Sequence, residues 1–327
     1  MNSFGRIFRV HIFGESHGRS VGVCIDGCPP GIPLSEADFA PDLLRRKSGA
    51  AGTTPRRESD APAIISGTYE GVTTGAPVAV VFGNDNTISG DYARFAAMPR
   101  PGHADFTAAA KFGGYNDPRG GGHFSGRLTL GLVAAGTVAK KAIAPVRVEA
   151  KIASVGAGGD IEAEIRAAIA EGDSRGGIVE CRISGAPAGL GNPFFDGVES
   201  VLAHILFAIP GVKGVEFGAG FAAAAMKGSE HNDAFASADG KTLTNNAGGV
   251  NGGIGNGNDI TLRVAVKPTS SIAAEQTTFN FETGRCETLT IGGRHDVCFA
   301  LRVPVAVEAA AAVVIADLMQ SEYRHNR

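Results

Sequence analysis

The chain has 327 residues, 43% hydrophobic and 19% charged, with a formal net charge of −3. This composition supplies a large core and excludes a disordered chain, and the slightly acidic charge excludes general nucleic-acid binding while leaving room for a local basic pocket. The five cysteines, Cys24, Cys28, Cys181, Cys286 and Cys298, form no C-x-x-C pair, so neither a disulfide framework nor a zinc site is expected and they read as buried free thiols.

The longest apolar run, 303–319, is interrupted by Pro304, Glu308 and Asp317, and no membrane span is expected. Residues 1–6 carry no apolar signal core, which points to the cytoplasm. Strand formers dominate 7–13, and 21–26 is again apolar at every other position up to Ile25. Between them lies Gly14-Glu15-Ser16-His17-Gly18. It sets a carboxylate, a hydroxyl and an imidazole between glycines that let the backbone bend and approach a ligand closely. The pentapeptide also matches G-x-S-x-G, the nucleophile elbow of α/β-hydrolases, but that motif needs a helix after it and a strand is predicted here. His17, in a loop between two strands, is the better candidate for chemistry, because imidazole moves protons near neutral pH.

Ser35 followed by Asp38 marks a helix start. The helix is expected to run to about Lys47, although Pro41 falls inside it. The small-residue loop 48–55 is flanked by Arg45, Arg46 and Lys47 on one side and by Arg56 and Arg57 on the other. These cations either meet an anion or form a solvated basic surface. A short strand is predicted at 77–82. Pro99-Arg100-Pro101-Gly102-His103-Ala104-Asp105 then holds a histidine in a rigid loop, with a carboxylate near enough to orient the ring. Gly120-Gly121-Gly122-His123-Phe124-Ser125-Gly126-Arg127 leads into a helix over 128–143. A glycine-rich loop at a helix N-terminus offers N–H groups and a positive dipole end to a phosphate. This one fits neither the P-loop nor the dinucleotide fingerprint. Helical spacing at Ile161, Ile165 and Ile169, a strand at 178–184, and the stripe Val198, Val201, Leu202, Ile205 and Leu206 read as core. His204, in the last of these, reads as packing or surface.

Residues 245–257 are too rich in Gly and Asn for a regular element. The alternating strand 260–266 ends in Lys267-Pro268-Thr269-Ser270-Ser271, whose ammonium, hydroxyls and N–H groups suit a phosphorylated or polyhydroxyl ligand. Arg294-His295-Asp296 sets a cation, an imidazole and a carboxylate side by side, and an Ala-rich helix over 305–319 follows. No linker-like stretch divides the chain, which favours a single domain. No metal-ligand spacing is present. The residues together favour acid–base chemistry on a phosphorylated or multiply anionic small molecule, with a phosphate-bearing cofactor.

The order of these motifs resembles that of the chorismate synthase family. The resemblance rests on residues 9–18, the Arg100–Asp105 loop, the glycine-rich loop ending at Arg127, Lys267 to Ser271, and Arg294-His295-Asp296. Val212-Lys213-Gly214-Val215-Glu216 and Gly218-Ala219-Gly220-Phe221 add to it, and it extends over essentially the whole chain. It implies an α+β fold, a β-α-β sandwich with helices layered between antiparallel sheets, in a single domain over 1–327 that forms a homotetramer. It further implies a shikimate-pathway lyase converting 5-enolpyruvylshikimate 3-phosphate to chorismate by 1,4-elimination of phosphate, with reduced FMN required and NADPH a candidate reductant. By the same resemblance His17 is an acid near the departing phosphate and His103 an acid serving the flavin. Asp296 helps take up the proton lost from the ring. FMN falls to His123, Phe124, Ser125, Pro210, Gly211, Gly252, Lys267, Pro268, Thr269, Ser270, Ser271 and Arg294. Arg46, Arg100 and Arg127 are candidates for the anionic groups of substrate or NADP. The glycine-rich loop departs from the family's usual G-R-S-S-A-R-E-T at His123, where Arg is common, and at Leu128, where Glu is common. The loop Ala50-Ala51-Gly52 lacks an arginine that many members associate with nicotinamide or substrate binding. Three alternatives remain: an FMN-dependent oxidoreductase, a serine hydrolase built on Ser16, and a non-catalytic binding protein of the same fold.

Overall fold

The computed structural model describes residues 2–56, 58–86, 90–293 and 295–325. The first sheet is built from β1 (Ser3–Phe4), β2 (Arg9–Gly14), β3 (Ser20–Asp26), β4 (Pro62–Ser66) and, after a ribbon of β5 (Thr68–Tyr69) and β6 (Val72–Thr73), β7 (Val78–Gly83). Its order is β1-β2-β3-β7-β4. Val23 pairs with Val80 in register, and Val21, Val23, Ile25, Val78, Val80 and Phe82 are fully buried. The second sheet holds β8 (Arg147–Val155), β9 (Gly177–Ser184), β10 (Val212–Phe217) and, after the hairpin β11 (Val250–Asn251) and β12 (Ile254–Gly255), β13 (Ile260–Val266), in the order β10-β13-β9-β8. Its strands bury Val148, Val179, Ile183 and Val264 and turn Lys151, Arg182 and Arg263 outward, the period-two pattern of a sheet with one wet face. A further hairpin joins β14 (Gln276–Asn280) to β15 (Arg285–Leu289). Every strand pair among the described residues is antiparallel.

The helices are α1 (Ala40–Arg46), α2 (Asp105–Phe112), α3 (Thr129–Ala142), α4 (Ile161–Glu171), α5 (Val198–Leu206), the single turn α6 (Gly228–His231) and α7 (Pro304–His325). Two of them have no polar face: α3 is buried from Thr129 to Ala139, and α7 from Val305 to Leu318. A helix that is apolar all round needs partners on every side. α3 packs on β2, β3 and β7, α7 on β8 and β9, and the two helices on each other, so both lie between the sheets. The expected layering is therefore present. Small residues allow it: a Cβ built on Gly136 of α3 would stand 2.3 Å from the Ala309 Cβ of α7.

The charges that interrupt the α7 run are buried, and each has partners. The Asp317 carboxylate accepts the backbone N–H groups of Arg6, Ile7 and Phe8 at 2.6–3.0 Å, tying the N-terminal segment to the helix. Glu308 accepts from Arg45, Lys140 and the N–H of Ala150. By length and composition Pro304–Glu322 could cross a membrane, but 78% of that apolar window is buried within the protein. Two local readings change. The helix expected from Ser35 starts as a 3-10 turn (Glu36–Phe39), with Asp38 accepting the Ser35 N–H at 2.8 Å, and Pro41 falls in the first turn of α1, where no N–H is needed. The cysteines are free, but only Cys28, Cys181 and Cys298 are buried. Cys24 is half-buried, and Cys286 is exposed on the outward face of β15.

Candidate active site

Loops from both sheets line one cavity of about 1250 Å³. Ser16 comes from the β2–β3 turn, Arg46 from the end of α1, and Thr54, Arg56, Glu58 and Asp60 from the chain that follows it. Of the charged side chains in the wall, nine are Lys or Arg and three are carboxylates, Glu58, Asp60 and Asp296. A protein of net charge −3 has thus gathered cations at one place, where their field draws in an anionic ligand.

The Arg100–Asp105 loop folds back on itself. Asp105 accepts from Nε and Nη2 of Arg100 at 2.8 Å and lies 2.7 Å from Nδ1 of His103. Burial alone would raise the Asp105 pKa, but the hydrogen bonds from Arg100 and His103 outweigh it and hold the carboxyl well below its usual range. Nδ1 of the ring faces Asp105 and the Arg100 guanidinium, and Nε2 lies on the side of Gly121. Arg100 also donates to Ser271 Oγ at 3.1 Å, and Ser270 Oγ donates to the Gly102 carbonyl at 2.7 Å. Two motifs about 170 residues apart are thereby joined. Each Arg100 nitrogen is committed, and its plane lies 4.4 Å over the Phe95 ring.

The glycine-rich loop serves the histidines. Gly120, Gly121 and Gly122 all take left-handed φ, between 53° and 79°, a region closed to most side chains. A Cβ on Gly120 would stand 2.5 Å from the His17 ring and one on Gly121 3.5 Å from His103, so successive glycines pack against the two imidazoles. The Gly122 carbonyl accepts the Ser16 N–H at 3.1 Å. His17 is buried behind the wall, edge-on to Tyr92 at 5.2 Å, and its neighbours Ser16, Gly120 and Tyr92 line the cavity. Burial, then the charges of Arg56 and Arg119, lower its pKa. After Ser16 the chain turns into β3 and not into a helix, so the nucleophile-elbow geometry is absent, and Ser16 is fully buried.

Asp60, 4% exposed, accepts from Arg46 at 3.0 Å and Arg127 at 2.8 Å. Burial would raise its pKa, yet the two guanidiniums prevail and lower it. Arg127 spends its remaining nitrogens on Asn84 and the Gly83 carbonyl. Arg46 is lowered to about 10 by burial and by the charge of Arg302, and so stays a cation at neutral pH. Its buried Nε has no hydrogen-bond partner among the described residues, and neither has Thr269 Oγ1. Unspent buried polar groups in a cavity wall call for a ligand. Asp296 accepts the Thr54 N–H at 2.9 Å and pairs with Arg302 at 3.1 Å.

Most of the expected site converges here. His103, Asp296, His123, Phe124, Ser125, Pro210, Gly211, Lys267 to Ser271, Arg46, Arg100 and Arg127 all line the cavity. Arg56 joins them, and Arg45 borders the cavity while its guanidinium pairs with Glu308. His123 is anchored by its Nδ1 to the Gly14 carbonyl at 2.8 Å. Gly252, in the β11–β12 turn, does not line the cavity. Arg294 and Arg57 lie outside the described residues. His204 packs edge-to-face on Phe4 and also borders the cavity. Sequence reasoning missed Asp60, Glu58, Tyr92 and Arg302. None sits in a motif; the left-handed φ of 50° at Asp60 is visible only in three dimensions.

Fold and site define a layered-sandwich protein whose cationic cavity suits a multiply anionic small molecule. Comparison with known proteins gives the particular family. The family model for chorismate synthase matches residues 8–320. The chorismate synthase of Chitinophaga pinensis is 61% identical over 328 residues, covering 100% of this chain and 99% of that protein. One from Dehalococcoides mccartyi is 45% identical over 349 residues, covering 97% and 96%. A crystal structure of chorismate synthase superposes with a TM-score of 0.74 at 24% identity over 97% of this chain and 93% of that one, which supports the fold. The chain belongs to the chorismate synthase family, carbon–oxygen lyases of the shikimate pathway.

Proposed function

We propose that the chain converts 5-enolpyruvylshikimate 3-phosphate to chorismate by 1,4-elimination of phosphate, as a single domain in the cytoplasm. The observation that carries this reading is the cationic cavity, whose wall also holds His103, Asp296 and, just behind it, His17. The substrate brings two carboxylates and a phosphate, enough to engage the unspent Arg46 Nε, Arg56, Lys213 and Lys267. Arg100 and Arg127, fully committed within the protein, frame the site around those groups.

In the reaction a ring C–H and the C–O bond to phosphate break, a new C=C forms, and no net oxidation occurs. Asp296 takes up the proton. His17 donates one to the departing phosphate. Its lowered pKa keeps the ring neutral in the free protein, and a phosphate beside it reverses that balance by favouring the imidazolium. The reduced flavin that the family uses, when bound, lends electron density to the breaking C–O bond. The residues fit such a group: Lys267 and the orphaned Thr269 Oγ1 suit its phosphate, and His123, Phe124, Ser125, Pro210 and Gly211 complete the wall. Arg294 completes the FMN assignment, with NADPH as reductant, and Gly252, outside the cavity wall, drops out of it. His103, steadied by Asp105, serves as an acid toward that group. We assign a homotetramer as well, supported by the exposed Phe194, Phe195 and Phe221 side chains.

The test is anaerobic. The protein is mixed with chemically reduced FMN and 5-enolpyruvylshikimate 3-phosphate, and chorismate absorbance is followed with phosphate release. Equal, catalytic yields are expected, and His17→Ala and His103→Ala each lower kcat roughly 10- to 1000-fold. Flavin binding without product, or stoichiometric consumption of reduced flavin, overturns the reading. The second outcome points to the oxidoreductase.

A further inference from the structure

We propose that Arg302 is a positioning residue, which fixes the Asp296 carboxylate and couples it to the arginine cluster. The inference rests on the reading of Asp296 as the proton acceptor. Arg302 ends the 3-10 turn Phe299–Arg302, immediately before α7. Its Nη1 donates to both Asp296 oxygens, at 3.2 and 3.1 Å, and its Nε donates to the main-chain carbonyl of Arg46 at 2.9 Å. That carbonyl lies in the last turn of α1, where helix carbonyls lack an intrahelical donor. One guanidinium thus satisfies a helix end and holds a carboxylate, with both side chains 13% exposed. The Thr54 N–H bonds Asp296 Oδ1 from a second segment, at 2.9 Å. Held from two sides, the carboxylate has a defined orientation in the cavity wall.

The arrangement carries a cost that packing alone does not explain. Arg302 stands close enough to the buried Arg46 for its charge to disfavour that cation. Like charges are brought together in a low-dielectric wall, where their repulsion is strong. Asp296 and Asp60 offset it, one on each arginine. The outcome is a chain of contacts, Asp296–Arg302–Arg46–Asp60–Arg127, that links the proton acceptor to the anion-binding residues. A group oriented this way acts through geometry: loss of Arg302 leaves the substrate bound and the carboxylate misaligned.

The experiment compares Arg302→Gln, Arg302→Lys, Asp296→Asn and the Arg302→Gln/Asp296→Asn double variant. Turnover is measured with reduced FMN, substrate dissociation constants by calorimetry, and folding by thermal melts. Arg302→Gln is expected to lower kcat roughly 10- to 100-fold, within the range of acid–base catalysis, and to leave the dissociation constant within about 3-fold. Arg302→Lys keeps the charge and loses the fork, so it recovers part of kcat. The double variant is no slower than Asp296→Asn alone, because residues that act as a unit do not add. A purely structural arginine gives multiplicative losses instead, and that result overturns the proposal. So does wild-type kcat in Arg302→Gln beside an inactive Asp296→Asn. Full turnover in Asp296→Asn sinks the parent reading, a separate failure. If Arg302→Gln does not fold, Arg302→Lys decides: reduced kcat at unchanged substrate affinity supports the proposal, and wild-type kcat overturns it.

Discussion

Arg45 and Arg46 are neighbours in sequence and belong to two different charge clusters. Arg45 joins Lys140, Asp42 and Glu308 on the flank of the helical layer. There two cations meet two carboxylates, Glu308 is satisfied by three partners, and Arg45 reaches water. Arg46 joins Asp60, Arg127 and Arg302. There cations outnumber carboxylates, and the Arg46 Nε is buried without a partner among the described residues. A balanced, satisfied cluster holds a fold together. An unbalanced one with a spare donor holds a place for an anion.

Matching substitutions break this contrast if it is wrong. Glu308→Ala strips the balanced cluster of its hub and is expected to cost about 2–3 kcal/mol, below the range for a fully buried pair because Arg45 and Lys140 reach solvent. Urea denaturation reads this loss, and turnover per folded molecule is unchanged. Asp60→Asn removes the corresponding hub of the site. It raises KM roughly tenfold, equivalent to ~1.4 kcal/mol, and also lowers stability, because Asp60 is the buried partner of two buried arginines. A stability loss in Asp60→Asn larger than that in Glu308→Ala, at unchanged KM, reverses the assignment of the two clusters. The subtlest effect concerns His17. Its ring titrates below the ordinary histidine value in the free protein and moves up when inorganic phosphate is added or Arg56 is changed to Gln, as NMR titration reports. The sign follows from linkage: because the fold lowers this pKa, the unfolded chain binds the proton more readily. Stability then falls as pH drops through the window between the two values. A ring that titrates above its ordinary value, unmoved by phosphate, removes His17 from the anion site.

Much of this site was legible in the sequence because its chemistry is written in short loops. Gly14 to Gly18, Arg100 to Asp105 and Lys267 to Ser271 each announce themselves by composition, and the Asp105–His103 contact follows from a two-residue spacing. The partners supplied from a distance were not legible. Asp60 and Arg302 look like any surface acid and base until the chain is folded, and their roles depend on contacts 67 and 256 residues away in sequence. The glycine-rich loop was read as a phosphate cradle from its local pattern. That pattern could not show that His17 and His103 occupy the space its missing side chains leave. Layering was the deepest gap. The all-round apolar character of α3 and α7 predicts burial, but periodicity does not say which two sheets enclose a helix.

The close approach at Gly136 and Ala309 has a consequence at the cavity. Ser16 and His17 hang from the first sheet, and Lys267 to Ser271 from the end of a strand in the second. The thickness of the helical layer therefore sets the span that any ligand must bridge between them. A residue with no chemistry of its own acts as the gauge of the machine: one methyl group added at Gly136 would push the two halves of the site apart without touching either.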